Sequence, residues 1–177
     1  FTQAADANLN VAGNFTLESG TTFTKSATSG LLVFDGDLTF NDKRAVKQDV
    51  GDVEIGLSPD TTNLDSDMVA RSVSINSGDI LETDGYDLDI GLGGVRIKDG
   101  GTLDATDCTG AGCEEDLTQI DTDDDFDLQS GGTFTHGNST LTFTMPAAVT
   151  DITNDLITAG TGSLYNLVVN DGAGTYT

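Results

Sequence analysis

The sequence predicts an all-β chain built as a β-solenoid-like stack of strand–turn–strand repeats, with a two-sheet β-sandwich or jelly roll as the alternative. Three observations lead there. A short pattern, apolar–x–apolar–x–(Ser/Asp)–Gly, occurs five times, and another apolar residue usually stands three positions after its glycine. Thr (26 residues) and Gly (22) are abundant and Trp is absent, a composition that favours strands and bends. No stretch sustains a 3.6-residue apolar period over helical length, the nearest being the short run from Lys43 to Val50.

The copies run in order along the chain. The first is Phe15-Thr16-Leu17-Glu18-Ser19-Gly20, followed by Phe23. Val73-Ser74-Ile75-Asn76-Ser77-Gly78 precedes Leu81, and Val95-Arg96-Ile97-Lys98-Asp99-Gly100 precedes Leu103. Phe126-Asp127-Leu128-Gln129-Ser130-Gly131 precedes Phe134, and Leu167-Val168-Val169-Asn170-Asp171-Gly172 precedes Thr175. Alternation at period two places the apolar residues of each strand on one face, and glycine after Ser or Asp supplies the bend. Such a unit cannot bury its apolar face alone, so copies must stack or pair. Near-matches stand at Leu31 to Gly36 and Tyr86 to Gly91, and with one degenerate copy in each of the two longest gaps the expected period is about 25 residues per unit. The expected core comprises Phe15, Leu17, Phe23, Val73, Ile75, Val95, Ile97, Leu103, Phe126, Leu128, Phe134, Leu167 and Val169.

The 177 residues are expected to form a single domain, 1–177, with loop excursions at about 41–71 and 104–125. The first excursion is expected because 41–71 fits the pattern worst and carries local charge runs and Pro59. The second is rich in Asp and contains both cysteines, Cys108 and Cys113. Gly110 and Gly112 make the segment between them pliable enough to close a disulfide, the alternative being two free thiols.

Charge narrows the function classes. Against 30 acidic residues stand only 7 basic ones, a formal charge of −23. Nucleic acid and anionic lipid are therefore excluded as partners, since both are held by basic patches. No apolar run approaches the length of a membrane span, so membrane insertion is not expected. The chain begins at Phe1 rather than Met and shows no signal-peptide pattern, which reads as a mature or excised product. Few Lys and Arg, many Thr, Gly and Asp, and sequons at Asn14 and Asn138 suit an extracellular or cell-surface protein. Both asparagines are candidate glycosylation sites and, on the plainer reading, ordinary turn residues.

Of the acids, 25 are Asp and 5 are Glu. Asp suits turns and oxygen-rich cation sites. Alternating Asp121, Asp123, Asp125 and Asp127, and the set Asp84, Asp87 and Asp89, are the candidate Ca²⁺ ligands. Neither matches an EF-hand loop: in the first set the sixth position is Phe126 and the twelfth Gly132. The plainer reading is solvated Asp on strands and loops. Catalysis finds no motif: His136 has no cysteine partner in sequence and no Gly-x-Ser-x-Gly elbow occurs. Arg96 and Lys98 share one strand face and are expected to pair with neighbouring Asp. The chain is read as a non-enzyme.

The stretch Leu164-Tyr165-Asn166-Leu167-Val168-Val169-Asn170-Asp171-Gly172-Ala173-Gly174-Thr175 resembles a segment common in long secreted bacterial and archaeal surface repeat proteins. The stretches 126–143 and 9–24 have a similar Ser/Thr/Gly strand texture, so the resemblance covers about one third of the chain. It implies adhesins, fibres or coats of solenoid or sandwich architecture. The function expected is a structural subunit of an extracellular filament, tube or coat, with copies of itself as partner. A carbohydrate- or cell-binding module of a larger adhesin, with glycans or neighbouring cells as partners, is the alternative. Head-to-tail contacts are expected through Phe1, Leu9 and Val11 at one end and Leu164, Leu167, Val169 and Tyr176 at the other. Gly172 of one copy and Gly20 of the next would then continue the 25-residue period.

Overall fold

The structure, a computed structural model, describes residues 2, 7–25, 30–57, 59–106, 118–123, 125–145, 161–162 and 166–171. Among these there is no helix, and every strand pairing is parallel. The chain winds as a β-solenoid of about six coils around three parallel sheets, here called A, B and C.

The first coil contributes β1 (Leu9–Val11) and β2 (Phe15–Leu17), and the second β3 (Leu32–Phe34) and β4 (Leu38–Asp42). The third coil is β5 (Asp52–Ile55), β6 (Thr61–Leu64) and β7 (Met68–Ala70). The fourth is β8 (Ser72–Ile75), β9 (Ile80–Glu82) and β10 (Leu88–Ile90), and the fifth β11 (Val95–Ile97), β12 (Thr102–Asp104) and β13 (Gln119–Thr122). The sixth is β14 (Phe126–Leu128), β15 (Thr133–Thr135) and β16 (Thr140–Met145), beyond which lie β17 (Thr161–Gly162) and β18 (Asn166–Asp171). Sheet A stacks β1-β3-β5-β8-β11-β14, sheet B stacks β2-β4-β6-β9-β12-β15-β17, and sheet C stacks β7-β10-β13-β16-β18. In the second coil a single bridge from Asp49 to Val69 takes the sheet C position.

Short strands suffice because each interior strand is paired on both edges and buries only its inward residues. The burial pattern alternates along β4, β5, β6 and β8 as period two demands. Inward residues form columns one coil apart, such as Leu32, Val53, Val73, Val95 and Phe126 in sheet A and Leu81, Leu103 and Phe134 in sheet B. Nine of the thirteen expected core residues are buried, and Phe15 and Leu128 are partly buried against the same core. Phe15, Phe34 and Phe40 pack ring to ring at 5.8–6.1 Å, and Phe126 meets Phe134 edge-on at 5.2 Å. Leu167 departs from expectation. It aligns with buried Leu141, but it sits on the outermost described strand of sheet C and is 46% exposed. The side chain of Val169 lies outside the described residues.

Gly78, Gly100 and Gly131 form one column at the corner between sheets A and B, with φ between 80° and 89°. The Gly78 N–H donates to the Gly100 carbonyl and the Gly100 N–H to that of Gly131, so the bends themselves are hydrogen-bonded along the stack. Positive φ is costly for any residue with a Cβ, which accounts for the glycine.

Two expectations are corrected. The five pattern copies are not five equivalent coil positions. Those at 73, 95 and 126 lie in sheet A, but the copy at 15 is β2 of sheet B and the copy at 167 is β18 of sheet C. All three sides of the prism need two inward apolar residues and then a bend, so the same pattern serves any side. The copies at 15 and 167 therefore belong to different sides. The coil step is not constant but scatters around the expected period of about 25 residues: Thr61 pairs with Ile80, Phe15 with Phe40 and Leu88 with Ile120.

Residues 41–71 are no excursion, since they supply β5, β6 and β7, the whole third coil. Polar corners and an inward Thr62 in place of an aliphatic residue hide this coil from a search for apolar alternation. Of the 104–125 excursion, residues 107–117 lie outside the described residues, as do Cys108 and Cys113, while 119–122 form β13.

Candidate functional site

The acidic residues have a structural employment that the sequence does not announce. Asn8, Asn14, Asp37, Asp67 and Asp87 each stand immediately before a strand or one residue earlier in the corner. Each side chain accepts a hydrogen bond from the backbone N–H of the residue one coil further on: Leu31, Thr39, Thr61, Asp87 and Gln119 respectively, at 2.7–3.2 Å. Asp79 does the same backwards, accepting from the Asp60 N–H at 3.0 Å. In every case donor and acceptor are aligned by the register of the adjoining strands. Parallel strands lie about 4.8 Å apart, a gap that the short Asx side chain spans without folding back. This favours Asp and Asn over Glu at these positions, and it assigns Asp87 and Asn14 to the scaffold.

The remaining candidate ligands do not converge. Asp121 and Asp89 are lateral neighbours on the outer face of sheet C, with Asp123 just beyond. Asp125 lies at the next corner, and Asp127 is on sheet A, paired with Arg96 at 2.9 Å. Asp84 sits in the turn before β10, with φ of 52°. Among the described residues no group of three or more His, Cys, Asp or Glu side chains is arranged to hold a metal ion. Burial, with neighbouring Asp121, pushes the Asp89 and Asp123 carboxyls up. Burial and Asp104 push those of Glu82 and Asp84 up, with Asp84 also acting on Glu82. Lys98 reaches Asn76 rather than an Asp. His136 Nδ1 lies 2.6 Å from the Gly137 carbonyl. Asn14 and Asn138 are both exposed.

Two features stand out as places where something could bind. One is the pair of stack ends. Leu9 and Val11 of β1 are only partly buried, and Leu167 and Val168 of β18 are 46% and 44% exposed. Among the described residues, β1, β2, β7, β14, β17 and β18 are the outermost strands of their sheets, with a single bridge from Asp49 to Val69 beyond β7. Phe1, Leu164 and Tyr176 lie outside the described residues.

The other is a notch of about 460 Å³ at the corner between sheets B and C. The third-coil corner, residues 65–67, is the tightest of three neighbours, with wider corners at 43–48 and 83–87 on either side. Three of the seven basic residues, Lys43, Arg44 and Lys47, lie in the wide corner above it. That corner is pinned from inside by Asp42, which is 1% exposed and accepts hydrogen bonds from Arg44 Nε, Arg44 NH2 and the backbone N–H groups of Arg44 and Gln48. The Lys47 ammonium donates to the Asp42 carbonyl, and Lys43 pairs with Glu18 at 2.8 Å. The charge run at 42–44, expected to mark a loop outside the stack, is the clamp of a structured corner.

Comparison with protein-family models, with curated proteins and with solved structures finds no match for the chain.

Proposed function

We propose that this protein is a structural subunit of an extracellular filament, tube or coat, assembled end to end through the strand edges of its outermost coils. One observation carries the reading. The three parallel sheets run continuously along one axis, and the outermost strands β1 and β18 keep apolar residues incompletely buried, Leu167 and Val168 above all. An unshared parallel edge offers backbone donors and acceptors to another chain, and a contact between two different surfaces propagates as a filament. The acidic surface bears on the same reading. At −23 per copy, end-to-end packing meets strong self-repulsion, and Ca²⁺ bridging carboxylates of two copies would relieve it. The role is scaffolding, with no catalytic step.

Negative-stain microscopy and sedimentation of the full chain with Ca²⁺ test this. The wild type should form filaments that disperse on chelation, and Leu167→Lys should stay a folded monomer, because a charge on an edge strand blocks pairing. A wild type that remains monodisperse at high concentration, or a Leu167→Lys variant that polymerises normally, would overturn the reading.

A further inference from the structure

We propose that the notch between the 43–48 and 83–87 corners binds a neutral hexose unit of a glycan. The notch goes beyond end-to-end assembly and would work equally in a monomer or a polymer. Its volume of about 460 Å³ lies within the range of small-ligand sites.

The chemistry of its walls selects the ligand. Asn41, Lys43 and Lys47 bring donors and Asp65, Asp67 and Asp87 bring acceptors, while the buried Ser66 hydroxyl is taken up within the wall, accepting from the Asp42 N–H and donating to the Asp67 carbonyl. An anion would face the four carboxylates of Asp42, Asp65, Asp67 and Asp87, and among the described residues no three acidic side chains are arranged to hold a metal ion, so neither is matched. A ligand that donates and accepts at every position is matched, and that is the property of a sugar hydroxyl. Asp65 and Asp67 each commit one oxygen to the scaffold, Oδ2 to the Asn41 amide and Oδ1 to the Asp87 N–H. The second oxygen of each carboxylate can take a sugar O–H. Tyr86, half-buried against the core, adds an aromatic surface for the C–H face of a pyranose.

The walls are also held in place before any ligand arrives. The Asp42–Arg44 clamp fixes the upper corner, and the Asp42 N–H donates to Ser66 Oγ at 2.7 Å. The register-matched Asp67–Asp87–Gln119 bonds fix the lower one. Such preorganisation lowers the ordering cost of binding a small polar ligand.

The test is a heteronuclear NMR titration of the full chain with methyl glucoside, methyl galactoside, methyl mannoside and, separately, galacturonate. At least one neutral glycoside should give saturable shifts confined to Asn41, Lys43, Asp65 to Asp67 and Tyr86, with millimolar affinity. Asp65→Ala should weaken it about tenfold or more, since hydrogen bonds to a charged group are lost. Asp121→Ala, on the outer face of sheet C, should leave it unchanged. Asp65 is exposed, so the variant should keep the wild-type spectrum elsewhere; if it does not, Lys47→Ala takes its place. No saturable shift with any neutral glycoside, shifts centred elsewhere, or tighter binding of galacturonate would each overturn the proposal.

Discussion

Asp42 and Asp79 are each 1% exposed, yet their corners treat them in opposite ways. At the corner after β4, burial works to raise the Asp42 carboxyl. The Arg44 guanidinium and the backbone N–H groups of Gln48 and Arg44 outweigh it and hold the group below the usual carboxylate range. At the corner before β9, burial pushes the Asp79 carboxyl up. The Asp60 N–H opposes this, and the charges of Asp60, Asp35 and Glu54 add to the rise. Equal burial therefore says nothing about sign, which is set by partners. A chain with seven basic residues cannot neutralise thirty acids, and it places an arginine at one of these two corners only.

The largest effect should come from breaking the first corner. Arg44→Met leaves Asp42 buried with backbone donors alone and should cost about 3 kcal/mol or more, by the penalty for orphaning one partner of a buried ion pair. Urea denaturation at neutral pH reads this directly. The same step should loosen the notch, since Lys43 and Lys47 ride on the clamp.

The second corner should respond with the opposite sign. Asp79→Asn keeps the Oδ1 acceptor for the Asp60 N–H and removes a buried charge among carboxylates. It should stabilise the fold by about 1–2 kcal/mol at neutral pH, as expected when an under-satisfied buried charge is replaced by a neutral hydrogen-bonding group. A destabilised Asp79→Asn would show that its carboxylate is better satisfied than its neighbours indicate.

The pH profile sharpens the contrast. Asp79, Glu82, Asp84, Asp89 and Asp123 have carboxyls raised in the folded state. Their contribution to stability is full below the ordinary carboxylate range and is lost as pH rises through the raised folded values. Asp42 and Asp52 are lowered, the latter against burial by Arg71 and Ser72. Their contribution is present above the ordinary range and is lost as pH falls through the depressed folded values. The melting temperature should therefore rise as pH drops from neutrality toward the upper edge of the carboxylate range, then fall at stronger acid. In Asp79→Asn the rise should shrink. A melting temperature that only falls from neutral pH downward would contradict the balance drawn here.

Much of the fold is legible in the chain, and the gaps have physical causes. The 73, 95 and 126 copies can be read because each joins two inward aliphatic or aromatic residues to a glycine corner, and these stack directly. The third coil is hard to read because Thr62 takes a core position and its corners are Asp and Ser. The Asp-rich stretches mislead for a different reason. Alternation that suggests a chelating loop equally places Asp89 and Asp121 side by side on a sheet and sends Asp127 round a corner. The one signal that could have exposed the scaffold role is position: Asn8, Asn14, Asp37, Asp67 and Asp87 all precede apolar strand starts. The notch depends on relative corner lengths between coils, which no local pattern carries.

The smallest effect belongs to the exposed pair of Arg96 and Asp127, at 59% and 39% side-chain exposure. Arg96→Ala should change stability by less than about 1 kcal/mol, as for most surface ion pairs. A loss comparable to that of Arg44→Met would mean that exposure, too, fails to rank these carboxylates.

The most direct measurement is a carboxyl-carbon NMR titration following Asp42 and Asp79 in the same sample. The account predicts that Asp79 takes up its proton above the ordinary aspartate range and Asp42 below it, with Arg44→Met moving Asp42 upward and leaving Asp79 where it was. Coincident titrations, or Asp42 protonating first as pH falls, would contradict it.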